Sequence, residues 1–216
     1  MLLKILNRQA EMIQKKDNKE QAILMAAEKM FALKGFKGAT TTMIASEAGV
    51  THAMLHYYFR TKEQIFLKVF RLYMDEVWEE LKAIMSPDMF DAGLVGKVTG
   101  VFFDFFERHK GQMALFLEVS KDHPELIERY VSEFGRYLEA SLSAHRDRTE
   151  RAVNEGKIRS VEFQDLLTDI IIVCASPFIL EPILSDASVM DTKRRNEFLK
   201  ARKNEAVELI AGRLRK

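Results

Sequence analysis

The sequence predicts an all-α chain, and three observations support this fold class. Apolar residues recur at the three- and four-residue spacing of an amphipathic helix through most of the 216 residues. Helix breakers are few, with 4 Pro and 10 Gly, and they fall mainly between periodic segments. No stretch shows the alternating pattern of a half-buried strand. We therefore expect an N-terminal domain of three short helices followed by a larger helical domain.

The first helix of the predicted N-terminal domain carries one apolar face. Ile23, Ala27, Met30 and Phe31 share that face at helical spacing. Gly35 follows where a glycine commonly ends a helix, because glycine accepts a positive φ without steric cost. This pattern predicts a core helix that stops at Gly35.

Residues 44–59 predict two short helices hinged at residues 48–50. Gly49 suits a tight turn because it lacks a Cβ, and Thr51 can cap the second helix by accepting from its free N–H groups. This pattern indicates a helix-turn-helix, whose second helix enters a DNA major groove. Before it, three threonines can cap the preceding helix and contact phosphates through their hydroxyls: Thr40, Thr41 and Thr42.

The second helix of this motif can be divided into a buried and an exposed face. Val50, Leu55 and Phe59 are spaced to pack inward. Ala53 and Met54 can meet thymine methyl groups, and a histidine can donate to guanine N7 or O6 or to a phosphate. The side chains predicted to be exposed are Thr51, His52, Ala53, Met54, His56 and Tyr57.

Matched residues between positions 22 and 70 stand in the order and spacing of a known family. They are Ile23-Leu24, Ala26-Ala27, Phe31, Gly35-Phe36, Ile44-Ala45, Ala48-Gly49-Val50, Leu55, Tyr58-Phe59 and Lys62-Glu63. In this set the chain resembles the TetR family of bacterial transcriptional regulators. One position departs from the family, because His56 stands where a tyrosine is most often found.

The resemblance implies roles for individual residues. The residues that would contact bases are His52, Ala53, Met54 and His56. The residues that would contact phosphates are Thr41, Thr42, Thr51, Tyr57, Tyr58 and Lys62. The resemblance weakens beyond residue 70, where it implies only a ligand pocket and a dimer interface.

The charge of the chain is distributed unevenly. Residues 1–71 carry 12 Lys and Arg against 6 Asp and Glu, a net charge of +6, whereas residues 72–216 carry 21 against 26, a net charge of −5. A basic N-terminal part attracts a polyanion through counterion release. The alternative for Lys15, Lys16 and Lys19 is that they only solvate an N-terminal extension.

Composition is that of a globular chain, with 47% hydrophobic and 30% charged residues. No run of eighteen consecutive apolar residues occurs, and the first eight residues do not form a secretory signal, so a cytoplasmic location is expected. The lone Cys174 lies in an apolar run and is expected to be a buried thiol. His52 and His56 are spaced to share a metal ion, but no third ligand is near, and no metal or cofactor is expected.

Three regions are predicted: an extension over 1–18, a helix-turn-helix domain over 19–66 and a helical ligand-binding and dimerisation domain over 67–216. The extension could be an amphipathic turn, a minor-groove arm or a tail, and a tail or short helix is favoured. Later helices are predicted at 62–85, 94–109, 111–121, 124–155, 162–184 and 191–214. The helix from Lys62 joins both domains and is the expected transmission lever.

Aromatic side chains of the second domain can line a cavity for a small molecule. The alternative is that most of them fill a core. Asp104 is a further polar candidate beside the residues selected as ligand contacts, which are Trp78, Phe102, Phe103, Phe106, Phe116, Glu118, Phe134, Tyr137, Cys174 and Phe178.

The last two helices predict a homodimer interface. The segment 170–175 is apolar on nearly all sides, which indicates cover from both its own domain and a partner. Two helices from each subunit would make a four-helix interface. The selected interface residues are Phe163, Ile170, Val173, Phe198, Ala201, Val207 and Ile210, with Leu214 on the same stripe.

These features predict a ligand-responsive regulator that binds a palindromic operator as a dimer, most simply a repressor released by a small apolar or amphipathic molecule. Repression and activation would use the same DNA contacts. An enzyme is not expected, because residues 93–98 lack Walker spacing and no other catalytic signature occurs. The alternative is a helical small-molecule carrier or adaptor that does not bind DNA.

Overall fold

A computed structural model describes the backbone of residues 2–84, 91–184 and 191–215, and the side chains of residues 18–84, 91–132, 139, 142–180 and 191–215. The all-α prediction is confirmed, since the described residues contain no strand. The helices are α1 Leu2–Gly38, α2 Thr41–Glu47, α3 His52–Tyr58, α4 Lys62–Ile84, α5 Ala92–Arg108, α6 Lys110–Asp122, α7 Pro124–Asn154, α8 Phe163–Leu184 and α9 Thr192–Leu214.

Helix α1 is longer than the sequence pattern indicated. The backbone of residues 2–17 is helical and continuous with the rest of α1, so the extension forms a helix and not a tail. The predicted face is present, because Ile23, Ala27 and Phe31 are buried. The break at Gly35 is also present: its φ of 68° and ψ of 173° interrupt the helical geometry.

The chain divides into two compact units that do not follow the predicted boundary at residue 66. The first unit comprises Met1–Met74 and Leu115–Tyr130, and the second comprises Asp75–Ala114 and Val131–Lys216. Aromatic contacts bring the later segment into the first unit: Phe70 stacks on Phe116 with ring centroids 4.7 Å apart and meets Tyr130 edge-on at 4.8 Å. Sequence spacing could not reveal this long-range packing.

Three phenylalanines form the centre of the first unit, and we call Phe31, Phe36 and Phe66 the aromatic cluster. Their ring centroids lie 5.3 to 6.1 Å apart in tilted or edge-to-face pairs, which are the favoured geometries for aromatic rings. All three are almost completely buried. The cluster joins α1 to α4.

Glu118 of α6 lies directly against the break in α1. A Cβ on residue 35 would come within 2.9 Å of the Glu118 carboxylate oxygen Oε2. The other oxygen, Oε1, accepts a hydrogen bond from the Lys37 backbone N–H at 3.4 Å. Glycine at position 35 therefore meets two demands: a positive φ, and room for a carboxylate from another helix.

The second unit packs α5 against α8 and α9. Close approach is possible because Gly96 of α5 faces Val207, whose Cγ1 would lie 3.2 Å from an added Cβ. At the rim of this contact Lys203 donates to both carboxylate oxygens of Asp104 at 2.6 Å. The core between these helices includes Val95, Phe103, Leu166, Ile170, Cys174, Phe178, Leu199, Ala206, Ile210 and Leu214.

Helix α8 has more apolar surface than its own unit covers. Its Phe163–Leu180 stretch has a mean hydropathy of 1.7 and is 33% buried, so by length and composition it could cross a membrane. A single helix of this kind is weak evidence for a membrane span, because a core helix meets the same criteria. Ile172 is 60% exposed, and Ile171, Ile179 and Leu180 are exposed as well.

The two positive-φ glycines of the first unit allow a matched test of the Glu118 contact. We expect Gly35→Ala to lower the free energy of unfolding by about 3 kcal/mol, since backbone strain and the carboxylate both oppose a Cβ. Gly49→Ala should cost only about 1 kcal/mol, because Gly49 has φ 62° but no atom within 4 Å of the added Cβ. Urea denaturation measures both losses.

Glu118→Ala serves as the control, because it should restore part of the stability lost in Gly35→Ala and none of that lost in Gly49→Ala. Equal losses for the two glycine variants would contradict the role assigned to Glu118.

Candidate DNA-binding site

The two helices of the motif are each capped by a threonine, as predicted. Thr40 Oγ1 accepts from the Met43 N–H at 3.2 Å at the start of α2, and Thr51 Oγ1 accepts from the Met54 N–H at 3.1 Å at the start of α3. A cap of this kind typically contributes about 1 kcal/mol. Both hydroxyls thus already have a structural partner, and phosphate contact remains a prediction for them.

The turn between α2 and α3 is closed by two backbone hydrogen bonds around Gly49. Val50 N–H donates to Ala45 C=O at 3.0 Å and Gly49 N–H donates to Ser46 C=O at 3.2 Å. This is the Schellman arrangement, in which the residue after the helix adopts a positive φ. Gly49 has φ 62°, as its place in the turn demands.

Helix α3 buries one face and exposes the other. Leu55 and Phe59 are buried, in agreement with their predicted inward direction, while Tyr57 is 74% exposed and Met54 is 39% exposed. His52, Ala53 and His56 are also exposed. The predicted base-contacting residues therefore share one accessible helix face.

Two histidines on this face are held in defined orientations. Their rings pack edge to face, with centroids 4.4 Å apart. His52 Nε2 lies 3.0 Å from the Thr41 hydroxyl, and His56 Nδ1 lies 3.2 Å from the Arg60 backbone carbonyl. The exposed face of α3 is thus ordered before any DNA is bound.

Lys62 has a different position from the one expected of a phosphate contact. Its ammonium donates to the Phe36 carbonyl at 2.7 Å and to the Ala39 carbonyl at 3.0 Å, and it lies 4.4 Å from the centre of the Phe36 ring. An ammonium has three N–H donors, so two are used inside the protein. We therefore assign Lys62 first to holding the end of α1 against the start of α4.

Arg60 is not among the predicted DNA contacts, and its side chain is exposed between α3 and α4. Its backbone is fixed on both sides: the N–H donates to Gln64 Oε1 at 3.0 Å and the carbonyl accepts from His56. An arginine beside the exposed face is a suitable phosphate contact. The signal available in the sequence was a cation directly after the buried Phe59.

The second unit contains a small apolar cavity of about 60 Å³. Trp78 lines this cavity, and its indole Nε1 is buried with no hydrogen-bond partner among the described residues. His145 is half-buried beside it, and its Nδ1 is 3.5 Å from Nη1 of Arg148. The lining is completed by Leu81, Leu94, Val95, Val98, Phe102, Leu142, Phe163, Leu166, Leu167 and Ile170.

Burial lowers the pKa of His145, and the positive charge of Arg148 lowers it further. An arginine can only donate, so Nδ1 of His145 accepts and a neutral ring carries its proton on Nε2. The cavity surface is apolar, and the Trp78 and His145 rings form part of its lining.

The residues predicted to contact a ligand do not all lie at the cavity. Trp78 and Phe102 line the cavity, but Phe103, Phe178 and Cys174 fill the core, and burial followed by the charge of Asp104 raises the pKa of Cys174 to about 12. Phe106 packs against that core, and Asp104 pairs with Lys203. Phe116 and Glu118 belong to the first unit. Phe134 and Tyr137 lie outside the described side chains.

Among the described residues, no three His, Cys, Asp or Glu side chains are grouped as metal ligands.

Comparison with known proteins identifies relatives of this architecture. Residues 23–69 match the family model of bacterial regulatory proteins, tetR family. The chain is 32% identical over 115 residues to the HTH-type transcriptional regulator RutR of Escherichia coli, covering 53% of this chain and 47% of RutR. It is 22% identical over 143 residues to the HTH-type regulator YhgD of Bacillus subtilis, covering 66% and 73%.

A solved structure supports the same fold over nearly the whole chain. The transcriptional regulator FadR of Bacillus subtilis, in complex with stearoyl-CoA, superimposes with a TM-score of 0.63 at 18% identity, covering 89% of this chain and 98% of FadR. All three are described as transcriptional regulators, RutR and YhgD as HTH-type ones.

Replacing Lys62 tests its structural role. We expect Lys62→Met to lower the free energy of unfolding by about 2 kcal/mol, because two hydrogen bonds from a charged donor are lost while the aliphatic stem remains. Lys68→Met, at an exposed position of the same helix, should change it by less than about 0.5 kcal/mol. Thermal and urea denaturation provide the measurement, and equal stability of both variants would contradict the assignment.

The lowered pKa of His145 predicts a pH effect on stability. As the pH falls, His145 of the unfolded chain takes up a proton near its ordinary pKa of 6.5, whereas His145 of the folded chain does so only at a lower pH. Stability is therefore fully present above about pH 6.5 and decreases as the pH falls from there through the lowered folded pKa. We expect His145→Phe to lose less stability than the intact chain between pH 7.5 and pH 5, measured by urea denaturation. Identical pH profiles would contradict burial of a neutral His145.

Proposed function

We propose that this chain, which the match at residues 23–69 places in the TetR family of bacterial regulatory proteins, is a ligand-responsive, sequence-specific DNA-binding transcriptional regulator. The observation that carries the proposal is the exposed face of α3, where His52, Ala53, Met54, His56 and Tyr57 are accessible above a buried Leu55. A helix anchored on one face and polar on the other is suited to enter a major groove.

Charge supports a polyanionic partner for the first unit. The net charge of +6 over residues 1–71 favours DNA, and the net charge of −5 over the remainder does not. Arg60 joins Thr41, Thr42 and Tyr57 as a proposed phosphate contact, because its side chain is exposed beside α3. Tyr58 is half-buried and Thr40 and Thr51 are caps, so these would contact phosphates only with atoms that their structural roles leave accessible.

We propose that the protein acts as a homodimer, since two recognition helices about 34 Å apart are needed to read a palindrome. The predicted interface residues require correction: Ile170 and Ile210 are buried in the core of their own chain, and Val173 and Phe198 pack against that core. Phe163 lines the cavity, Val207 faces Gly96, and Ala201 is exposed. Among the described residues of α8 and α9, the large apolar side chains left exposed are Ile171, Ile172, Ile179, Leu180 and Leu209. We assign the interface to that second set.

The effector would bind at the cavity around Trp78. A cavity of about 60 Å³ holds only part of a molecule, because ligand pockets usually measure about 300 to 1,000 Å³. Binding would therefore displace cavity-lining side chains of α4. Because α4 is one continuous helix from Lys62 to Ile84, such a displacement can alter the position of the DNA-binding helices.

The effector is a small apolar or amphipathic molecule, since the walls of the cavity are apolar. The bound stearoyl-CoA of FadR is an amphipathic molecule of this broad kind. In the simplest mechanism the dimer represses transcription and the effector releases it. If the effector binds the DNA-free state about 1.4 kcal/mol more tightly than the DNA-bound state, it weakens DNA binding tenfold.

Selection of duplexes from a random DNA pool tests the proposal. We expect the intact chain to enrich a palindrome, and the doubly substituted His52→Ala, His56→Ala chain to lose that enrichment because its base contacts are removed. Met25→Ala is the matched control, since Met25 is 70% exposed on α1 of the same unit and outside the α3 face. It should enrich the same palindrome as the intact chain.

No enrichment by the intact chain at low salt would contradict the proposal and favour a helical carrier without DNA binding. Circular dichroism of each variant establishes that a lost enrichment does not reflect unfolding.

A further inference from the structure

The hydrogen bond of His56 determines which of its ring nitrogens carries a proton. Nδ1 lies 3.2 Å from the backbone carbonyl oxygen of Arg60. A carbonyl oxygen can only accept, so Nδ1 must donate and must carry the hydrogen. In the neutral ring the other nitrogen, Nε2, then has a lone pair and no hydrogen. In that neutral form Nε2 of His56 is a hydrogen-bond acceptor.

Neighbouring groups hold this arrangement. Arg60 cannot move its carbonyl freely, because its N–H donates to Gln64 Oε1 at 3.0 Å. The His52 ring packs edge to face on His56 at 4.4 Å, and His52 is itself placed by the Thr41 hydroxyl at 3.0 Å. Thr41 can donate or accept, so the tautomer of His52 is not determined in the same way. Of these two histidines, His56 is the one whose neutral tautomer is defined by its hydrogen bond.

Base edges in the major groove differ in what they offer an acceptor. Adenine N6 and cytosine N4 are amino groups that donate, whereas guanine presents N7 and O6, which only accept. A neutral His56 with its lone pair facing the groove can pair with the first two groups and not with guanine. This outcome differs from the expectation that either histidine could donate to guanine.

We propose that His56 is a specificity-determining residue that selects an adenine or cytosine amino group at one position of each half-site through its Nε2 lone pair. The inference rests on the proposed DNA binding and adds to it the chemistry of one base contact. A tyrosine at this position could donate through its hydroxyl, whereas His56 in this tautomer cannot.

Pairwise substitution in protein and DNA tests the contact. In the selected duplex, each adenine is replaced in turn by purine, which lacks the N6 amino group, and each cytosine by 2-pyrimidinone, which lacks the N4 amino group. Each guanine is replaced by 7-deazaguanine, which lacks the N7 acceptor. Affinities of the intact chain and of His56→Phe are measured at pH 8.

We expect one amino-group deletion per half-site to weaken binding of the intact chain about 3- to 10-fold, the effect of a single hydrogen bond, and to leave His56→Phe unchanged. His56→Leu gives the same comparison if the phenylalanine variant does not fold. Coupling of His56 to a 7-deazaguanine position, or to no base at all, would overturn the inference. Failure to select any duplex would contradict the proposed DNA binding itself and is therefore distinguishable.

Discussion

The proposed DNA-binding face belongs to the unit that is centred on the aromatic cluster of Phe31, Phe36 and Phe66. Helices α2 and α3 have seven residues each, and isolated helices of that length are not stable in water. They persist because α2 buries Ile44 and α3 buries Leu55 in the same unit. Lys62 completes the arrangement by holding the carbonyls of Phe36 and Ala39. A recognition surface of two short helices is thus made rigid by residues that do not contact DNA in the proposed mode.

Packing within the first unit extends well beyond the residues that resemble the family. The ring series continues from Phe66 to Phe70 and on to Phe116, with stacked neighbours 6.1 and 4.7 Å apart. His123 also meets Phe36 edge-on at 5.1 Å. Segments of α6 and α7 are therefore structural parts of the unit that carries the DNA-binding face. A change in α6 would act directly on the geometry around Gly35, where Glu118 is in contact.

Local features could be predicted from the sequence, because they depend on neighbouring residues. The positive φ of Gly35 and Gly49, the cap at Thr51 and the burial of Leu55 all follow from short-range patterns. Features that depend on distant partners could not be predicted. The periodicity of α8 does not say which of its apolar residues faces α5, so Ile170 was placed at an interface although it lies in the core.

Charge alone was also insufficient to assign roles. Lys62 and Arg60 are two residues apart and both cationic, yet the first is part-buried on two carbonyls and the second is exposed. Burial determines whether a cationic side chain binds a partner inside the protein or outside it. Burial depends on tertiary packing, which the local sequence does not reveal. Among the described residues, the same distinction separates Trp78, which lines a cavity, from Phe103, which fills the core.

The salt dependence of duplex binding tests the central claim most directly, because it separates a DNA-binding protein from a helical carrier. Affinity for a selected duplex would be measured by fluorescence anisotropy between 50 and 200 mM salt. The account predicts a steep linear fall of the logarithm of the affinity, about a thousandfold over this range, as phosphates of both half-sites release counterions. An affinity that stays nearly constant over the same range would contradict it.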